Sequence, residues 1–485
     1  MRLTALGGEE SRLSGAGDVE VTGLTADSRE VRPGFLFAAL AGSRTDGRRF
    51  VDDALARGAV AVLGDRSLAG RDLGVPVLAS EQPRRAFALA AARFHERQPA
   101  FVAAVTGTNG KTSIAGFARQ LWERLGQPAG SVGTLGVISP AGERPLPLTT
   151  PDPASLHAIL RELAEAGVDH AVIEASSHAL DQHRVDGVRL GAAAFSNITR
   201  DHFDYHGSFE AYLAAKTRLF GELLPAGATA VLNADVPEYA GLADLARTRG
   251  VTVLDYGRNA RSLRLLGQEM SPLGQRLELE LLGHRATVES ALVGSFQAHN
   301  LLAAAGLVIA GGAAPQALLP HLGAVAGARG RMELAVRLAS GAAAFVDYAH
   351  TPDALEQALR ALRAHSRGKI VVIFGCGGDR DAGKRPIMGA IAARLADRVI
   401  VTDDNPRSED PAAIRAAIMA ACPGATEIGD RAEAIRAGLA GLAPGDLLLV
   451  AGKGHESGQT VAGVTHPFDD REVVQRLAAG LGSAP

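Results

Sequence analysis

Apolar residues in this chain arrive in short runs, and most runs lead into a longer stretch where apolar positions recur every three or four residues. Buried strands alternating with amphipathic helices predict parallel sheets covered by helices. In the first region, strands are expected at 19–24, 35–38, 60–63 and 75–79, with helices near 47–58 and 82–97. Gln98-Pro99 then breaks the pattern. The second region predicts strands at 101–105, 170–174, 192–196 and 229–232, and helices at 111–125, 153–166 and 208–223. Asp152-Pro153 supplies an N-cap and a first-turn proline for one of these helices. Past residue 250 the period shortens to two at 276–282 and 286–293, which predicts hairpins, and helices follow at 297–310 and 315–324. Gly327-Ala328-Arg329-Gly330-Arg331 reads as the next boundary. Beyond it, strands at 343–347, 369–374, 398–402 and 447–451 alternate with helices at 353–364, 384–395, 411–421 and 431–440. That is a second doubly wound sheet. The expectation is an α/β protein of three domains, 1–98, 99–329 and 330–485.

Composition narrows the function. The 485 residues are 47% hydrophobic and 21% charged, as in core-forming globular proteins. A net charge of −3 offers no bulk attraction for nucleic acid or an anionic membrane. Cys376 and Cys422 form neither a disulfide framework nor metal-ligand spacing. The first residues lack a signal-peptide core, and no uncharged apolar run matches a bilayer. A soluble cytoplasmic monomer is expected.

The densest chemistry lies at Gly107-Thr108-Asn109-Gly110-Lys111-Thr112-Ser113. An apolar strand precedes it and a helix follows, so its backbone N–H groups and the helix dipole form a phosphate cradle. Lys111 can reach the β- and γ-phosphates of ATP, and the Thr112 hydroxyl can hold Mg²⁺. The loop is the short Gly-x-x-Gly-Lys-Thr form, with Val105 where a strict Walker A motif has glycine. Glu174 ends a buried-type strand, where a carboxylate faces the ligand crevice and can share the metal with Thr112. Taken alone, it also reads as a strand-end residue in solvent. The polar segment 197–208 contains His202, which can ligate a metal or orient a phosphate. Lys216 by itself reads as a solvated helical lysine, and Asp404-Asn405-Pro406-Arg407 as an ordinary turn.

Seven motifs in one order change these readings. They are the 107–112 loop, Glu174 with Ser176-Ser177-His178, the 201–206 segment with Lys216, Gln297-Ala298-His299-Asn300, Gly330-Arg331-Met332-Glu333, Asp347-Tyr348-Ala349-His350-Thr351-Pro352, and Gly452-Lys453-Gly454-His455-Glu456. Over nearly its whole length the chain resembles the Mur ligases, and within them the branch that adds the third residue of the peptidoglycan stem peptide. The resemblance implies an N-terminal uridine-nucleotide-binding domain, a central P-loop-type ATPase domain and a C-terminal Rossmann-like domain. It implies ligation through an acyl phosphate on the D-glutamyl γ-carboxylate of UDP-MurNAc-L-Ala-D-Glu, with ATP and two Mg²⁺.

The same resemblance assigns residues. Lys111, Glu174, His202, Lys216 and Asp347 are the catalytic set. Lys216 is carbamylated by CO₂ and joins Thr112, Glu174 and His202 around metal. ATP lies on Gly107 to Ser113, with His299, Asn300 and Arg331. Ser28, Ser43, Arg44, Thr45, Thr149, Thr150, Ser176, Gln182 and Arg184 hold the UDP-MurNAc-dipeptide. Leu148 departs from the asparagine common in relatives. Arg380, Asp404, Asn405, Pro406, Arg407, Gly452 and Glu456 are assigned to meso-diaminopimelate. The physics agrees there, since arginine pairs bidentately with a distal carboxylate that lysine lacks. Ligation of L-lysine or L-ornithine is the alternative, and a P-loop switch without ligase chemistry is the remote one.

Overall fold

Parallel strands buried on both faces organise each half of the chain. The structure, a computed structural model, describes all residues except 16, 43–44, 200 and 481–485, and only the backbone of 204. The chain forms two compact units, residues 1–260 with 303–314, and residues 261–302 with 315–485. Among the described residues, no helix is long and apolar enough to cross a membrane.

The first unit holds two sheets. The smaller has the order Arg12–Ser14, Val77–Ala79, Ala61–Gly64, Phe35–Ala38, Gly23–Thr25, parallel apart from its first pair. Helix Pro83–His95 buries Ala86, Phe87, Ala90 and Ala91 against this sheet's apolar side. The predicted strand 19–24 shrinks to Gly23–Thr25, because Val19 O and the Val21 N–H bond the backbone of residues 1–3 instead.

The larger sheet's parallel strands run Thr252–Gly257, Thr229–Asn233, Leu190–Phe195, Phe101–Thr106, His170–Glu174, Ala129–Gly133. Gly136–Ser139 and Gly142–Arg144 extend its edge antiparallel. Ala171, Ile173, Ala193 and Phe195 face a core that includes Leu156, Leu160 and Leu163 of helix Pro153–Glu165. Helix Lys111–Arg124, with Phe117, Leu121 and Trp122 buried, contacts strands Ala129–Gly133 and His170–Glu174. Strand order places Phe101–Thr106 between Leu190–Phe195 and His170–Glu174. The ends of all three therefore converge on residues 107, 174 and 196. The predicted helix 208–223 is α-helical only over Phe209–Arg218 and finishes in a π-turn, Leu219–Leu223.

The second unit contains the antiparallel strands Leu263–Ser271, Gly274–Leu281 and His284–Ser290, as their period of two predicts. Its doubly wound sheet runs Glu333–Arg337, Ala343–Asp347, Leu447–Ala451, Ile370–Phe374, Arg398–Val401, Thr426–Glu427, parallel after the first pair. Alternate residues divide between two cores. Val372 and Phe374 meet Leu355, Leu359 and Met388 on one face, while Val371 and Ile373 meet Ile435, Leu439 and Val474 on the other. Helix Asp470–Ala479 and the hairpin Gly458–Val461 with Val464–Pro467 are additions to the expected elements. The predicted helix 315–324 shortens to Pro315–Leu318 and continues as the 3₁₀ turn Leu319–Ala324, since Pro320 offers no N–H.

Candidate active site

Gly107 and Gly110 make the phosphate loop possible. Gly107 has φ +146°, and a Cβ there would lie 1.9 Å from Ser196 Oγ. Gly110, at φ +91°, is the left-handed residue that opens helix Lys111–Arg124. Asn197 fastens the loop from the neighbouring strand end: its carbonyl accepts from Thr108 N at 2.8 Å, and its Oδ1 accepts from Asn109 N at 3.0 Å. Thr108 Oγ1 lies 3.0 Å from Tyr212 OH. Lys111 Nζ donates to Gly107 O and Thr108 O at 2.9 Å each, curled over its own loop.

Glu174 is 2% exposed, so it is not a carboxylate in solvent. Its Oε2 accepts from Thr112 Oγ1 at 3.0 Å and from Thr134 Oγ1 at 3.1 Å, and its Oε1 accepts from Thr134 N at 2.8 Å. A side chain at residue 133 would collide with it, a Cβ lying 2.1 Å from Oε1. All three partners are neutral. A buried carboxylate beside a P-loop hydroxyl, with only neutral donors, fits a divalent cation.

Lys216 is 1% exposed, and its Nζ donates to Gly107 O at 2.9 Å and lies 4.5 Å from the Tyr212 ring centre. Burial first, and the Lys111 cation second, hold this amine well below the usual lysine range, against the weaker pull of Asp201. A neutral amine is the form that adds CO₂, so the site fits a carbamate.

His202 is exposed, sits at φ +54° and faces Asp201 with 3.4 Å between Nε2 and Oδ2. His178, Tyr205, His206 and Tyr212 form an aromatic cluster with it; the His178 and His202 ring centres are 4.8 Å apart. Gln182 Nε2 donates to Tyr205 OH at 2.9 Å, and Arg184 donates to Gln182 Oε1 at 2.7 Å and Thr150 O at 2.8 Å. Thr150 Oγ1 donates to Glu174 O at 2.6 Å and accepts from Ser176 N at 3.1 Å. Thr149 Oγ1 lies 3.2 Å from Thr134 Oγ1. Thr149, Thr150, Ser176, Gln182 and Arg184 thus form one connected patch beside Glu174. Ser28 is buried on a short 3₁₀ turn, Thr45 is exposed, and Ser43 and Arg44 lie outside the described residues. A cavity of about 660 Å³ lies along strand Gly23–Thr25, lined by Arg29, Arg32, His95, Asp152 and Ser155 among others.

In the second unit, Asp347 ends its strand and accepts from Met332 N at 2.7 Å; burial raises its carboxyl above the usual range. The Arg331 guanidinium lies 4.8 Å from the Tyr348 ring centre. Asn300 is buried and donates to Gln297 Oε1 at 3.0 Å; His299 is half-buried. Arg407 adopts φ +53° while donating to Gly378 O at 2.7 Å. Asp404, Asn405 and Pro406 are buried, and Asn405 Nδ2 donates to Glu456 Oε2 at 2.9 Å. A Cβ on Gly452 would approach Asp404 Oδ2 at 3.0 Å, whereas Arg380 is exposed. His202, Met332 and Arg407, non-glycine residues with positive φ, fall in the expected site segments, and Asp379, also at positive φ, precedes Arg380; such strain persists where surrounding structure fixes the backbone. Thr134, Asn197 and Tyr212 are missed as contacts by sequence reasoning. Of the three, only Asn197, inside the polar 197–208 segment, carried any signal.

Family models match three successive segments: residues 20–95 match the Mur ligase family catalytic domain, 105–308 the Mur ligase middle domain, and 330–454 the Mur ligase glutamate ligase domain. The chain belongs to the Mur ligase family. Among Mur ligases, it is 55% identical over 470 residues to the UDP-N-acetylmuramoyl-L-alanyl-D-glutamate–2,6-diaminopimelate ligase of Caulobacter vibrioides, covering 95% of this chain and 96% of that one. The Zymomonas mobilis ligase of the same name is 46% identical, covering 94% and 95%. A solved structure of a ligase with this name superposes with TM-score 0.71 at 36% identity, covering 95% of each chain. A MurF ligase from Thermotoga maritima in complex with ADP shares the Mur ligase fold, with TM-score 0.62 at 18% identity, covering 96% and 99%.

Proposed function

We propose that this chain joins meso-2,6-diaminopimelate to the D-glutamyl γ-carboxylate of UDP-MurNAc-L-Ala-D-Glu, using ATP, in cytoplasmic peptidoglycan precursor synthesis. The observation that carries the reading is full-length identity of 55% with a ligase of that name. The 107–113 loop binds the triphosphate, with Lys111 swinging from its backbone partners to the phosphates. Thr112 and Glu174, with the carbamate of Lys216 and with His202, hold Mg²⁺, which neutralises phosphate charge when bound.

The γ-carboxylate oxygen attacks the terminal phosphorus of ATP, the bond to the ADP oxygen breaks, and an acyl phosphate results. A carboxylate is a poor electrophile and its mixed anhydride with phosphate a good one. The diaminopimelate amine attacks that carbonyl, the tetrahedral intermediate expels phosphate, and an amide remains with loss of the amine proton. Ser28, Thr45 and the patch from Thr149 to Arg184 hold the nucleotide-sugar dipeptide, together with Ser43 and Arg44. His299, Asn300 and Arg331 serve the nucleotide, and Asp347 the reacting groups. Arg407 and Arg380 take the distal carboxylate; Asp404, Asn405, Pro406, Gly452 and Glu456 shape the rest of the amino-acid site. The functional division is 1–98, 99–329 and 330–485, and the enzyme acts as a monomer. Phosphate release with UDP-MurNAc-L-Ala-D-Glu, run beside diaminopimelate, lysine and ornithine, tests this reading. Release with diaminopimelate alone supports it; release with lysine or ornithine, or hydrolysis indifferent to the muramoyl-dipeptide, overturns it.

A further inference from the structure

A lysine without solvent exposure sits two residues past strand Leu447–Ala451. Lys453 is 0% exposed, yet it follows a glycine in a short polar turn, Gly452-Lys453-Gly454-His455-Glu456. Lysine is almost never fully buried without partners. Its Nζ lies 3.1 Å from Asn405 Oδ1, 3.5 Å from Glu456 Oε2 and 3.7 Å from Asp404 Oδ1. These partners come from two separate loops, one after strand Arg398–Val401 and one after strand Leu447–Ala451. All three also belong to the set proposed above to hold diaminopimelate, so the inference rests on that reading.

The hydrogen bonds run in one direction. Thr460 N donates to the same Asn405 oxygen at 2.9 Å, and a backbone N–H can only donate. Two donors on one atom fix it as the oxygen, so the Asn405 amide nitrogen faces the other way. That nitrogen donates to Glu456 Oε2 at 2.9 Å. Lys453 and Asn405 thus both engage Oε2 and leave Oε1 to the ligand. Asp404 Oδ1 is buried and has no hydrogen-bond partner, only the ammonium at ion-pair distance. Arg431, wholly buried and paired with Asp470 at 2.7 Å, donates to Ala451 O at 3.0 Å and so braces the strand end that carries the turn. Without the lysine cation, the Asp404 and Glu456 carboxylates would lose the charge that bridges them and would rely on the Arg431 guanidinium, whose field reaches both.

We infer that Lys453 is a positioning residue for amino-acid binding: its ammonium sets the Asn405 amide and the Glu456 carboxylate for the distal ammonium of the diaminopimelate. Its side-chain partners all belong to the proposed amino-acid set, so its loss should act on one substrate. The test is steady-state kinetics of purified wild type and K453M, varying each substrate in turn. Dipeptide-dependent, amino-acid-independent exchange of label between ATP and ADP is measured beside it. The KM for diaminopimelate should rise by about tenfold or more, the order expected from losing charge-assisted hydrogen bonds. KM values for ATP and UDP-MurNAc-dipeptide, and the exchange rate, should stay within about twofold. If K453M is unfolded by near-ultraviolet circular dichroism, K453Q is held to the same criteria. An unchanged KM for diaminopimelate, or a parallel rise for all three substrates, overturns the assignment. Unfolding of both variants also overturns it, by making Lys453 a residue of folding. Wild type that ligates no diaminopimelate sinks the underlying reading instead, so the two failures are distinct.

Discussion

Lys216 Nζ donates to the carbonyl of Gly107 at 2.9 Å, which ties a buried amine to the first residue of the phosphate loop. Burial and Lys111 hold its proton affinity well below the usual lysine range, which favours the unprotonated amine that the proposed carbamate requires. Lys216→Ala should lower turnover by about 10²-fold or more, the scale of losing one pre-placed electrostatic group. Acetate or formate should restore part of it. Phosphate release in bicarbonate-depleted buffer, with and without the added acid, checks this; equal rates for Lys216→Ala and wild type count against carbamylation.

Glu174 engages Thr112 and Thr134 and no cation among the described residues. Glu174→Gln keeps the shape and one acceptor while removing the charge. The half-saturating Mg²⁺ concentration should rise about tenfold or more, as for metal-site ligands generally. Magnesium titrations of initial rate at saturating ATP measure it, and an unchanged requirement argues that the ion is held elsewhere.

Much of this was legible beforehand, and the reason is burial. Parallel strands covered on both faces read as unbroken apolar runs, as at Ala171-Val172-Ile173, so Glu174 could be placed at a strand end. The strands Ala129–Gly133, Gly136–Ser139 and Gly142–Arg144 at one end of the sheet were not legible, because glycines interrupt any period. Helix Asp470–Ala479 buries only a narrow face, including Val473, Val474 and Ala478, under a charged exterior. At the site, Thr134 and Tyr212 reach Glu174 and Thr108 from distant segments, and no local pattern marks such pairs. Lys453 illustrates the converse: the lysine of a charged turn in sequence is sealed in the fold.

Arg407 spends backbone strain at φ +53° to present its guanidinium, with its N–H held by Thr460 O at 3.0 Å and its carbonyl by Ala462 N at 2.7 Å. Arg407→Lys keeps the charge but loses the fork. Discrimination of diaminopimelate over lysine, as the ratio of kcat/KM values, should fall by about 10²-fold. A preserved ratio would assign selectivity to another residue.

His157 contributes to the loss of stability in acid. Its Nε2 lies 3.0 Å from the carbonyl of Asp186, its Nδ1 is buried without a partner, and burial pushes its pKa down to about 4. The bond to the Asp186 carbonyl opposes the depression, His95 and Arg189 nearby add to it, and the Asp186 carboxylate opposes it more weakly. A lowered folded value means that the unfolded chain binds the proton more readily. The stabilising effect of a neutral His157 is therefore complete above about pH 6.5, shrinks as pH falls, and is gone below about pH 4. At 1.36 kcal/mol per unit the loss is on the order of 3 kcal/mol. His157→Gln can keep a donor to Asp186 O while removing the titration. Urea midpoints measured between pH 7 and 4 should fall more steeply for wild type than for His157→Gln; parallel curves would shift the acid sensitivity to other groups, such as the half-buried His95.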